Sequence, residues 1–143
     1  MTPPTTPPGG TTREMVDAMT PEVFAAAVAE KVMGWKPIDR RRAGWGDGLP
    51  VWETDSESSP TFQGFTPAKS ADHDYRVLQR VRETWSENQR ERFAMWLESV
   101  IYGRIGKACA SCEPADLELI VHYEPGDYAT SALLVVLESE ATQ

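Results

Sequence analysis

The chain has 143 residues, 41% hydrophobic and 25% charged, which is enough for one globular domain with a real core. Its formal net charge of −8 excludes non-specific binding to a nucleic-acid backbone but leaves room for a local basic pocket that holds a small anion. No apolar run approaches the ~20 residues of a bilayer span, and the Pro/Thr-rich start lacks the apolar core of a secretory signal, so the expected compartment is the cytoplasm.

Residues 1–19 read as a disordered Pro/Thr-rich tail, because M-T-P-P-T-T-P-P-G-G-T-T removes backbone donors and adds chain entropy. Thr20-Pro21-Glu22 is a helix start, with Thr as N-cap, Pro in the first helical position and an acid in the first turn. Phe24, Val28 and Val32 repeat on one face, Gly34 suits a left-handed C-cap and Pro37 prevents a restart, which predicts a helix over 21–33. Gly44, Gly46 and Gly48 then interleave with Trp45 and Trp52, and L-P-V-W-E-T reads as a short edge strand. Residues 55–60 form a polar loop, and Thr61 to Phe65 a second short strand.

Ser70 or Asp72 caps the next helix, over 71–86, with Asp72 and Asp74 complementing its dipole. Tyr75, Leu78, Val81 and Trp85 make its apolar face, and Arg76, Gln79, Arg80 and Arg82 fill the other. Ser86 to Arg92 reads as a loop. Phe93 to Tyr102 is compatible with either helix or strand, and its aromatic and β-branched content between polar loop and glycines favours strand. Leu117 to Tyr123 alternates as a strand, and a last helix opens at Pro125 and Asp127 and runs to about Ser139 on an Ala129, Ala132, Leu133, Val136, Leu137 stripe. The fold expected is α+β: a small, mostly antiparallel sheet sandwiched by three helices in a single domain over 20–139, with a frayed end at 140–143.

Three pieces in this order, A-E-K-V-M-G-W-K, F-T-P-A-K-S-A-D-H-D-Y-R-V-L-Q-R-V-R and Y-E-P-G-D-Y-A-T-S-A-L-L-V-V-L-E, resemble the phage ABA sandwich domain family. The resemblance covers about Pro21 to Glu138 and implies a helix-covered sheet, a phage or prophage origin and residence in the host cytoplasm. It carries over no catalytic residue.

Cys109-Ala-Ser-Cys112 has the spacing of half a zinc site or a dithiol. Only His73 and His122 are available to complete four ligands, and their spacing matches no finger pattern, so two reduced cysteines in a loop are the plainer reading. His73, between Asp72 and Asp74, reads as a solvated first-turn residue, and His122 as a surface residue on a strand. The chain contains no Walker loop, no G-x-S-x-G and no H-E-x-x-H. No catalytic residue, metal site or cofactor is therefore assigned.

The best candidate for ligand recognition is Arg40, Arg41 and Arg42 with Trp45 and Trp52, since indoles stack on bases and guanidinium forks hold phosphates. The alternative is a packed tryptophan beside a solvated basic edge. Trp35 and Trp85 are assigned to the core. The expected function is that of a non-enzymatic small binding protein, a counter-defence sponge for a nucleotide-derived immune signal, expected to form a homo-oligomer. The competing reading is a phage accessory or structural protein acting through protein–protein contacts.

Overall fold

The structure, a computed structural model, describes residues 8–38, 51–55, 57–58, 60–105 and 122–141. Within them five α-helices and a small antiparallel sheet make an α+β fold: α1 (Pro8–Asp17), α2 (Pro21–Ala27, continued by a π turn Val28–Val32), β1 (Lys36–Pro37), β2 (Val51–Glu53), β3 (Thr61–Gln63), α3 (Ala71–Thr84), α4 (Glu87–Ile105) and α5 (Asp127–Ala141). The sheet order is β1-β2-β3, with Trp52 paired opposite both Pro37 and Phe62.

The start of α2 forms as its sequence dictates: Thr20 Oγ1 accepts the Val23 N–H at 3.2 Å, and Pro21 occupies a first-turn position where no donor is needed. Its last turn widens, with the Met33 N–H reaching back to the Val28 carbonyl at 3.0 Å. That i to i−5 bonding keeps Val28, Ala29, Val32 and Met33 all buried. Gly34, at φ +73°, then turns the chain, and the Trp35 N–H bonds the Ala29 carbonyl at 2.9 Å.

The core gathers around α5. Ala129, Ala132, Leu133 and Leu134 are wholly buried, with Val135 and Leu137 nearly so, and α1, α3, α4 and the π turn enclose the helix. A helix apolar on nearly every side can be satisfied only at the centre of a bundle. Each fully buried aliphatic side chain there contributes roughly 1.5–3 kcal/mol.

Three sequence expectations need correction. The stretch 8–17, read as part of a tail, is helix α1. Proline costs nothing in a first turn, and burial of Thr12 and Val16 against α5 outweighs the poor helix propensity of two glycines, about 1 kcal/mol each. Residues 86–92, read as loop, and 93–102, read as strand, are the single helix α4. Ser86 and Gln89 form a capping box: the Gln89 N–H donates to Ser86 Oγ at 3.2 Å, and the Ser86 N–H to Gln89 Oε1 at 2.9 Å. Phe93, Val100 and Ile101 are buried and Trp96 and Leu97 half-buried, which is helical spacing. Of the strand expected over 117–123, residues 117–121 lie outside the described residues and Tyr123 belongs to no strand; Cys109 and Cys112 also lie outside.

Asp74 is corrected as well. It complements its own helix dipole, but its side chain is fully buried and caps another helix. Asp74 Oδ1 accepts the Ala129 N–H at 2.8 Å, and Oδ2 accepts the Tyr128 N–H at 3.1 Å and the Tyr123 hydroxyl at 2.7 Å. Burial pushes the carboxyl above its usual range, while the Tyr123 hydroxyl and the α5 amides pull it back. Since every partner is a donor, the ionised form is the one the site satisfies.

Asp74→Ala should therefore cost about 3 kcal/mol in urea unfolding, because it strands two helix amides and a buried hydroxyl. Asp74→Asn keeps the shape but turns an NH₂ group onto donors, and should cost about 2 kcal/mol. An unfolding midpoint unchanged in both variants would show that α5 needs no cap from α3.

Candidate functional site

Between the β2–β3 side of the sheet and one face of α3 lies an open cleft of about 640 Å³. Arg76, Gln79, Arg80 and Glu83 follow one another at i, i+3, i+4 and i+7 and line its helical wall, while Val77 and Val81 on the other side of α3 are buried in the core. The opposite wall is aromatic. Trp35 stacks on Phe62 at 5.2 Å between centroids, and Phe65 meets both rings edge-on at 5.0 and 5.7 Å.

The two arginines are held differently. Arg76 lies over the Phe62 ring, its Cζ 5.1 Å from the centroid. Arg80 donates from Nη1 to Asp55 Oδ2 at 2.8 Å, and its Nε is buried without an acceptor among the described residues. The Asp55 side chain is 68% exposed, so this pair is a weak tether. The cleft therefore brings together a guanidinium on a ring and a second guanidinium tethered to Asp55, with Thr54, Ser58 and Thr61 also in its lining. Chemically this suits a small ligand with an anionic group and a flat ring; among the described residues of its lining, no nucleophile is paired with a base.

His73 backs the aromatic wall and corrects the solvated reading. It is half-buried, accepts the Thr66 N–H on Nδ1 at 2.9 Å, stacks on Phe65 at 5.7 Å and meets Phe62 edge-on at 5.0 Å. Burial and the Arg76 charge push its proton affinity below the usual range, with Asp72 pulling the other way. Ser70 supplies the α3 cap, its Oγ accepting the His73 N–H at 3.3 Å.

Of the residues picked from sequence, Arg40, Arg41, Arg42 and Trp45 lie outside the described residues. Trp52 is 5% exposed and packs in the core. It borders a smaller, more apolar cavity of about 270 Å³ with Pro21, Ala25, Phe65 and Pro67. Trp35 is core as expected and also a cleft wall, and Trp85 is half-buried against Phe93. The residues that sequence reasoning passed over are Arg76 and Arg80. Their i, i+4 spacing was visible, but the ring that gives them a task comes from β3. Among the described residues, no group of three His, Cys, Asp or Glu side chains stands close enough to hold a metal ion, and no helix is long and apolar enough to cross a membrane.

The chain matches no known protein family, no curated protein and no solved structure.

Gly34 connects the helix end to the cleft. A Cβ built there would lie 3.3 Å from Arg80 Nη2, and the positive φ disfavours any side chain. Gly34→Ala should lower stability by about 1 kcal/mol in denaturant titration. It should also displace Arg80, which a changed side-chain Nε signal of Arg80 would report.

Proposed function

We propose that this protein is a non-catalytic binder of a nucleotide-derived small molecule, with the cleft between β3 and α3 as its site. The observation that carries the reading is the Arg76 guanidinium over Phe62, one turn from Arg80, whose Asp55 partner is largely exposed. A base or a similar flat ring would stack at Phe62, and a phosphate would take the guanidinium donors of Arg76 and Arg80. Arg80 would release Asp55, a largely exposed partner that costs little to displace. The resemblance to phage ABA sandwich domains supports the biological setting of a counter-defence sponge in a host cell. The finer architecture of that family, a sheet between three helices, is part of the same proposal.

The test is a thermal-shift panel of cyclic nucleotides and ADP-ribose-type molecules on the purified protein. A true ligand at 100 times its Kd should add about 2.7 kcal/mol of apparent stability, and it should be recovered intact after heating. Arg76→Gln and Phe62→Ala should each weaken that ligand about tenfold or more, a loss of roughly 1.4 kcal/mol. No shift anywhere in the panel sinks the proposal, and degraded ligand would make the protein an enzyme.

A further inference from the structure

His73 stands one turn before Arg76 on α3, and both side chains meet the same ring: the imidazole edge-on to Phe62 at 5.0 Å, the guanidinium over it at 5.1 Å. The Nδ1 atom accepts the Thr66 N–H, so the native contact requires that nitrogen to be unprotonated. Thr66 Oγ1, 3.5 Å from the same nitrogen, is the acceptor within reach if Nδ1 gains a proton. The charged groups acting on the imidazole are Asp72 and Arg76 of its own helix. From β3 and the turn after it, the packed groups are Phe62, Phe65 and Thr66, none of them ionisable.

We propose that His73 makes the cleft a proton-coupled site: an anion held by Arg76 and Arg80 is taken up together with a proton on His73, and that proton releases the Thr66 amide. The inference rests on the reading of the cleft as an anion site. Its sign follows from linkage. Three features oppose a proton on His73: burial, the Thr66 bond and the Arg76 charge. The first two do not depend on the charge of Arg76. The third is cancelled when an anion neutralises Arg76. Binding therefore raises the proton affinity of His73, and by reciprocity the protonated protein binds the anion more tightly. In the ligand-free protein the sign is opposite. A group whose proton affinity is depressed by folding contributes stability that is present above its unfolded pKa and lost as pH falls through the folded one. Acid thus loosens the empty fold and strengthens its hold on the anion. Thr66 also borders the smaller cavity beside Trp52, so the released amide carries the change to that cavity.

Cyclic AMP is a suitable probe, because its phosphodiester does not titrate between pH 5 and 8. Calorimetry should show it binding about three- to tenfold more tightly at pH 5.5 than at pH 8, the range one coupled proton allows. In His73→Asn, which keeps an acceptor near the Nδ1 position but does not titrate, the dependence should vanish. A second arm needs no ligand. In NMR titrations of the free protein, the Thr66 amide should shift with the same midpoint as the His73 ring, and Arg76→Gln should move that midpoint upward. A wild-type affinity for cyclic AMP that is flat with pH, or a His73 midpoint that Arg76→Gln leaves in place, overturns the coupling. If cyclic AMP fails to bind at either pH while the free protein behaves as described, the His73–Arg76 coupling stands, cyclic AMP is not the ligand, and the rest of the panel decides the nucleotide reading.

Discussion

The carboxylate of Asp74 is the constraint on which the rest of the structure depends. It is a fully buried anion, and removing such a group from water costs several kcal/mol unless its lone pairs are filled. Here they are filled by the first amides of α5 and by the Tyr123 hydroxyl, and the positive end of the α5 dipole adds to the attraction. The same contacts satisfy helix amides that would otherwise be orphaned in a dry environment. One side chain of α3 thus fixes where α5, the centre of the core, begins. Gly126 supports this junction, since at φ +101° a Cβ would come within 3.1 Å of the Ala68 backbone. The turn before α5 and the turn before α3 are therefore packed backbone to backbone.

That anchoring decides which way α3 faces. With Asp74, Val77 and Val81 turned into the core, Arg76, Gln79, Arg80 and Glu83 have to line the cleft. The opposing wall is set independently. The π turn and Gly34 deliver Trp35 to the sheet, where it meets Phe62 through β3. Arg80 then spans the two halves, bonded to Asp55 beyond β2 and lying close to Gly34 at the helix end. Because the Asp55 carboxylate is mostly exposed, it tethers the guanidinium only weakly.

Much of this was legible in the sequence where local signals act alone. The Thr20-Pro21 start, the Gly34 stop, the Ser70 cap of α3 and the short strands at 51–53 and 61–63 are set by neighbours in the chain and were read correctly. What was not legible depends on contacts between distant residues. Two glycines hide α1, which exists because Thr12 and Val16 find α5. The aromatic and β-branched run at 93–102 suggested a strand, although the S-E-N-Q box at Ser86 marked a helix start and was passed over. Asp74 has a sufficient local explanation as a first-turn acid, so nothing in the sequence points to partners at 123, 128 and 129. The cleft was missed for the same reason. Unusual residues cluster in sequence at Arg40–Trp52, most of them outside the described residues, whereas Trp35, Phe62, Arg76 and Arg80 converge only in three dimensions.

The charge balance of the cleft bears on what it can recognise. Arg76 and Arg80 are offset by Asp55 and Glu83, so its lining carries no large positive field, and the chain as a whole is acidic. Long-range steering therefore contributes little, and a polyanion would meet the acidic surface before it met the arginines. Affinity for the proposed ligand would have to come from contact: a bidentate guanidinium on a phosphate, a ring against Phe62, and an anion that displaces Asp55 from Arg80. Such contacts reward a small rigid molecule in which phosphate and ring are a few bonds apart, and give no advantage to a longer chain. They also make binding only mildly salt-dependent, in contrast to the steep dependence of proteins that neutralise many phosphates. Selection by geometry in a nearly neutral cleft would let an acidic protein hold the proposed small anion without a general affinity for nucleic acid.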